Sequence, residues 1–244
     1  MYELSSDRQF DFYLQEVLSL AQGGGANSGE VLRIATGILP HDFESTYTAF
    51  YYMAERVYAI AENISITIDR PGKRDAYFRA ATYYRGACFF ILGNQSDPRI
   101  YSVFDQALES FDKAIALLDI PGQRFTVSTY SESVGNYDTI GVLYKAKPCN
   151  TRLPTIIVGS GYDGTQEEGY HAHCTQILAR GIDCVTYVSC GGQHQCSSSA
   201  LKMHLGRSRA ADNQSEAAQR LVSFTISAFP IDKLRRVGLQ QVKC

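Results

Sequence analysis

The chain has 244 residues, 45% hydrophobic and 20% charged, with a formal net charge of -2. That is enough for one large domain, or for a helical domain joined to a second unit, and its near-neutral balance excludes an electrostatic footprint for nucleic acid or an anionic membrane surface. No run approaches the roughly 20 apolar residues of a membrane span, and MYELSSDRQFDFYLQEVL lacks the basic start and apolar run of a secretory signal, so a cytoplasmic address and a small neutral ligand are expected.

From Arg8 to Leu118 the apolar residues recur at helical spacing, in pieces punctuated by glycine and proline: RQFDFYLQEVLSLAQ, GGGANSG, GEVLRIATGI and LPHD. The longest piece is DFESTYTAFYYMAERVYAIAENIS. Asp42 is its expected N-cap, and Phe43, Tyr47, Phe50, Ala54, Val57 and Ile60 form its predicted apolar face. RDAYFRAATYYRGACFFI follows, then a turn at Ser96 to Arg99, then YSVFDQALESFDKAIALL. Arg79 and Arg85 stand among Tyr77, Tyr83 and Tyr84. That setting suits an arginine held by stacking and by a carboxylate on a neighbouring helix, a structural ion pair in preference to a ligand contact.

After Pro121 the period changes from 3.6 to 2. FTVSTY and YDTIGVLYKAK read as antiparallel strands with a turn at Gly135-Asn136. TIIVGSG and CVTYVS flank the helical EEGYHAHCTQILARG, a βαβ unit with parallel strands and a right-handed crossover. The expected organisation is helical over residues 1–122, the start of an α/β sheet over 123–189, and a tail of unassigned fold over 190–244. The cysteines Cys88, Cys149, Cys174, Cys184, Cys190, Cys196 and Cys244 are odd in number and lack CxxC spacing, so they read as free thiols.

The first strand of the βαβ unit ends in GSGYDG. Loops at strand carboxyl ends line the crevice of an open parallel sheet, and a glycine corner running into a helix leaves backbone N–H groups pointing outward. Phosphate is a poor fit: neither GxxxxGK[ST] nor GxGxxG is present, and Glu167 and Glu168 in the first helical turn would repel it. An oxyanion hole and a plain tight turn remain as readings.

Three longer segments bear on that choice: GEVLRIATGILPHDFESTYTAFYYMAERVYAIAE, RDAYFRAATYYRGACFFILGNQSDPRIYSVFDQALESFDKA and PTIIVGSGYDGTQEEGYHAHCTQILARGIDCVTY. In order and spacing they resemble the fungal α/β hydrolases of polyketide pathways, including conidial-pigment (yellowish-green) hydrolases and the fusarin and cytochalasan hydrolases, with bacterial pseudooxynicotine-type hydrolases more distant. RAATYYRGACFFI followed by DPR, and GYDGTQEE, are the most specific items. The resemblance implies an α/β chain, an N-terminal helical cap followed by an incomplete α/β-hydrolase sheet, with no cofactor and a small polyketide-derived substrate. It also implies that Gly161, Tyr162, Asp163 and Gly164 bind oxyanion and substrate, with an N–H from Tyr162 or Asp163. A serine nucleophile, an acid and a histidine are implied further along.

The pattern departs after Val188, where YVSCGGQHQCSSS stands in place of a YEGPGQG-like corner. No serine has glycine at both minus two and plus two. The nearest variant, LGRSRAAD with Gly206, Ser208 and Ala210, lacks the apolar β-branched run that should lead into a nucleophile elbow, and no histidine follows His204, so no complete triad is visible. Cys190, His194, Cys196 and His204 match no common zinc module, and His171 and His173, two apart on a helix, cannot share a face, so no metal is expected. SEAAQRLVSFTISAF could cover a sheet edge as an amphipathic helix; left bare, that edge favours a homodimer. A shortened or misread gene product would account for the abrupt end of the resemblance. The expected function is hydrolysis at a polyketide or polyketide-amino-acid intermediate, by C–C or ester cleavage or by assisting release and cyclisation. The alternative is a catalytically inactive small-molecule binding protein.

Overall fold

In a computed structural model, the described residues are 3–94, 96–131, 135–148, 153–159 and 164–188. Five helices come first: α1 (Arg8–Ser19), α2 (Ser28–Ala35), α3 (Phe43–Asn63), α4 (Arg70–Phe89) and α5 (Arg99–Ala116). Their starts follow the capping logic of the sequence. Asp42 caps α3, its Oδ1 accepting from Glu44 N at 3.0 Å and Ser45 N at 3.2 Å. Two of the amide groups that a helix start leaves without a partner are thereby satisfied. Asp42→Ala is expected to lower stability by about 1 kcal/mol, and an unchanged urea midpoint would count against that role.

The buried stripe of α3 differs from the predicted face. It consists of Thr46, Phe50, Ala54, Val57 and Ala61, whereas Phe43 and Ile60 are 50% and 48% exposed. The reason is α4, which lies between α3 and α5 and sets which side of α3 is covered. From Ala76 to Cys88 all but one residue of α4 is buried, so its polar atoms need partners within the bundle. Tyr77 donates to Glu62 at 2.7 Å, Tyr83 to Glu30 at 2.8 Å and Tyr84 to Glu55 at 2.5 Å. Each tyrosine buries its ring and places its hydroxyl on a carboxylate of α2 or α3. Arg79 joins them, with Nε 3.0 Å from Glu30.

The sheet has four strands, β1 (Gln123–Ser131), β2 (Gly135–Tyr144), β3 (Thr155–Gly159) and β4 (Asp183–Val188), in the order β1-β2-β4-β3. β1–β2 and β2–β4 are antiparallel, and β3–β4 is parallel, as the βαβ pattern requires. Gly135 and Asn136 pair with Ser131 and Tyr130 as the first residues of β2, not as a turn, because the ladder continues to the end of β1. The crossover is one helical run in three pieces: α6 (Gln166–Gly169), a wider π-turn (Tyr170–Cys174) and α7 (Thr175–Ala179).

Helices and sheet share one apolar core: Val142, Tyr144, Tyr170, Cys174 and Cys184 belong to the same cluster as the buried faces of α1 to α5. Tyr170 stacks on Phe78 of α4 at 5.1 Å and meets Tyr144 of β2 at 4.7 Å. The GGG run has its explanation at this junction. A Cβ on Gly23 would stand 1.9 Å from the His171 carbonyl oxygen, and one on Gly25 2.6 Å from the His171 ring. The loop after α1 can seat against the π-turn only without side chains at those positions. Cys88, Cys174 and Cys184 are buried free thiols, as expected.

Candidate active site

The predicted corner begins at Gly159, the last residue of β3. Gly161, Tyr162 and Asp163 lie outside the described residues, and Gly164 leads directly into the N-cap of α6. That cap is a reciprocal capping box. Thr165 Oγ1 accepts from Glu168 N at 3.2 Å, and Glu168 Oε2 accepts from Thr165 N at 2.7 Å. The sequence signal was present in TQEE, a Thr followed three residues later by Glu. Because this box occupies the amides of Thr165 and Glu168, neither is available to a ligand.

The start of α6 faces the helical half across a narrow cleft with about 20 Å³ of free space, walled by Ala81, Thr82 and Arg85 of α4, by Phe104, Ala107 and Phe111 of α5, and by Thr165, Glu167 and Glu168. The walls are largely apolar, with one cation set deep among them. Arg85 is 3% exposed, its Nε stands 3.9 Å from Glu168 Oε1, and its guanidinium lies 4.9 Å over the Phe89 ring. Burial works against its charge, but the Glu168 carboxylate, together with Tyr13 and Cys88, more than offsets that and raises the Arg85 pKa above the ordinary arginine value. Phe89 is itself held by Tyr13 of α1, stacked at 4.0 Å. The expectation for Arg85, stacking plus a carboxylate on another helix, is met, although the carboxylate comes from the sheet half and not from the bundle. A second bridge fixes the same junction: Arg124 of β1 pairs with Asp112 of α5 at 2.6 Å and with Glu167 of α6 at 3.2 Å. Nothing in the local sequence around Arg124 signals that role, since its partners are 12 and 43 positions away.

His171 and His173 point apart, as their spacing requires: His173 is exposed and His171 is 3% exposed. His171 Nδ1 lies 3.0 Å from the Gly23 carbonyl, which can only accept, so Nδ1 carries the proton. Its Nε2 has no hydrogen-bond partner among the described residues, and the ring packs edge-on against Phe78 and Tyr170. Burial depresses its pKa to about 4, partly countered by the Gly23 carbonyl. Among the described residues no group of three or more His, Cys, Asp or Glu could hold a metal ion. Ser208, and the set Cys190, His194, Cys196 and His204, lie outside the described residues.

A helical layer packed on a mixed β1-β2-β4-β3 sheet, with a helical crossover joining the parallel strands β3 and β4, defines the class as an α/β hydrolase fold with an incomplete sheet. The crystal structure of a 2,6-dihydroxy-pseudo-oxynicotine hydrolase matches it with a TM-score of 0.53 at 16% identity, over 71% of this chain and 44% of that one. Curated fungal relatives, 27–33% identical, carry the names of hydrolases, several of them α/β hydrolases. Hydrolase LUC6 of a Fusarium species is 33% identical over 184 residues, 74% of this chain and 43% of the relative. The 20-hydroxy-prefusarin hydrolase of Gibberella moniliformis is 32% identical over 184 residues, with the same coverage, and hydrolase acrC of Aspergillus aculeatus is 28% identical over 196 residues, 77% of this chain and 46% of the relative. The chain thus spans less than half the length of the curated relatives it matches. No protein-family model matches it.

Proposed function

We propose that this chain supplies the lid and the oxyanion-side half of a serine-type hydrolase acting on a carbonyl of a polyketide or polyketide-amino-acid intermediate. One observation carries the reading: the cleft beneath α4 and α5 opens on the start of α6, just beyond the carboxyl end of β3. In this fold class that edge is where a reacting carbonyl is held. In the proposal, backbone N–H groups of Gly161, Tyr162, Asp163 or Gly164 bind the oxygen that becomes negative as a nucleophile attacks, and a donor of this kind contributes about 3 kcal/mol of barrier lowering. The apolar walls from α4 and α5 flank the reacting carbonyl and exclude water from it. The Arg85–Glu168 pair and the capping box keep the loop-to-helix junction in one geometry while the substrate enters.

The proposed residue divisions are a cap over 1–122, a sheet portion over 123–189 and a tail over 190–244, with a cytoplasmic address; among the described residues no helix is long and apolar enough to cross a membrane. Association into a homodimer would bury an open sheet edge. A second reading, an inactive binding protein with the same apolar cleft, is favoured by the absence of any serine with glycine at both minus two and plus two. The test is to treat the purified full chain with a fluorophosphonate probe and map the adduct by peptide mass. Stoichiometric labelling of one serine is the expected result for the hydrolase. An unlabelled chain would overturn catalysis by this polypeptide and leave the binding reading.

A further inference from the structure

A second concavity lies between α2 and α3 and shares no lining residue with the cleft at α6. It has a volume of about 430 Å³ and is open to solvent on one side, with Asn27 and Arg33 on one wall and Tyr52, Met53, Arg56 and Ile60 on the other. Tyr52, Arg56 and Ile60 recur every fourth residue, so they form one stripe along α3. The stripe is unusual for a solvated helix face, because Tyr52 is 57% and Ile60 48% exposed while the residue between them is cationic.

The charges of this groove do not balance. Arg56 lies 5.6 Å over the Tyr52 ring and donates through Nη1 to Tyr52 Oη at 2.9 Å. Among the described residues no carboxylate pairs with Arg33 or Arg56. The one acid in the lining, Glu30, is committed elsewhere: its Oε2 accepts from Arg79 Nε at 3.0 Å and from Tyr83 Oη at 2.8 Å. Two guanidinium groups therefore face a concave surface that also offers an aromatic ring and aliphatic side chains. Guanidinium is matched in shape and charge by a carboxylate, and a ring flanked by cations suits a planar apolar body.

We propose that the α2–α3 groove is a binding site for small aromatic or acyl carboxylates, distinct from the cleft at α6. Arg33 and Arg56 take the carboxylate, and Tyr52, Met53 and Ile60 take the apolar body. The site does not depend on the hydrolase reading and would be present in a catalytically inactive chain.

Met53 is one of three methionines in the chain and lines the groove, so methyl-labelled methionine gives a direct reporter. The full chain is titrated with naphthalene-2-carboxylate and, separately, with the neutral naphthalene-2-carboxamide, while the Met53 methyl resonance is followed. Saturable displacement by the carboxylate is expected, with at least tenfold weaker binding of the carboxamide and at least tenfold weaker binding of the carboxylate to the Arg33→Gln/Arg56→Gln double variant. Both positions are exposed, so the variant should keep the thermal midpoint of the parent, which separates lost binding from lost folding. A Met53 resonance that does not move with the carboxylate, equal affinity for the charged and neutral probes, or undiminished binding by the double variant would each overturn the proposal.

Discussion

Arg85→Met should destabilise the protein by about 3 kcal/mol, the cost of leaving the partner of a buried ion pair without its counter-charge. Methionine approximates the apolar stem of arginine, so most of the loss reflects the stranded Glu168 carboxylate, which is only 16% exposed. Glu168→Gln keeps the capping box, because glutamine can also reach back to the N-cap amide, yet it removes the carboxylate beside the buried guanidinium and should also lower stability. The double variant Arg85→Met/Glu168→Gln removes both charges together and should recover most of the loss, since a buried pair replaced as a unit is often close to neutral. Urea denaturation of the four proteins closes the cycle. A cost below about 1 kcal/mol for the single arginine change, or strict additivity in the double, would show that the pair does not join helices to sheet as described.

Acidification should weaken the same junction through His171. Its pKa in the folded protein, about 4, lies below the ordinary value of 6.5. A group with a depressed folded pKa binds its proton more readily in the unfolded chain. Between pH 6.5 and 4 the unfolded state therefore takes up a proton that the folded state excludes, and stability falls with falling pH. The contribution is complete above pH 6.5, and its loss by pH 4 amounts to at most about 3 kcal/mol. Glu167 and Asp75 are the charged groups that act on the ring, both in the direction of protonation, and neither outweighs burial. His171→Phe places an apolar ring among Phe78, Phe111 and Tyr170 and removes the titration. Carboxylates elsewhere titrate in both proteins, so the quantity to measure is the difference in unfolding free energy between parent and variant across this window. A difference that stays constant from pH 7 to 4 would mean that His171 is solvated or already paired.

The two expectations rest on parts of the fold that were unequally legible beforehand. Local patterns carried the elements: Asp42 before an amphipathic run, the change of period after Pro121, and two β-branched runs around a helical one all gave the right type of structure, because capping and periodicity act over a few residues. The resemblance carried by RAATYYRGACFFI and GYDGTQEE held, and so did the paired state of Arg79 and Arg85.

Other features became visible only with the chain folded. Which side of α3 is covered depended on α4 lying across it, and the exposure of Phe43 and Ile60 follows from that placement. Glu168 as the partner of Arg85, and Glu167 as a partner of Arg124, join segments far apart in sequence, so no window of ten or twenty residues contains them. The GGG run looked like an ordinary loop until His171 was found against it. Sequence alone determined the kind of the main helices and strands, since backbone propensity, capping and hydrophobic period are local, but it misread Gly135-Asn136 as a turn. The tertiary structure decided which charges meet, which faces are covered and where the cleft opens, since those depend on distances that only the packed chain defines.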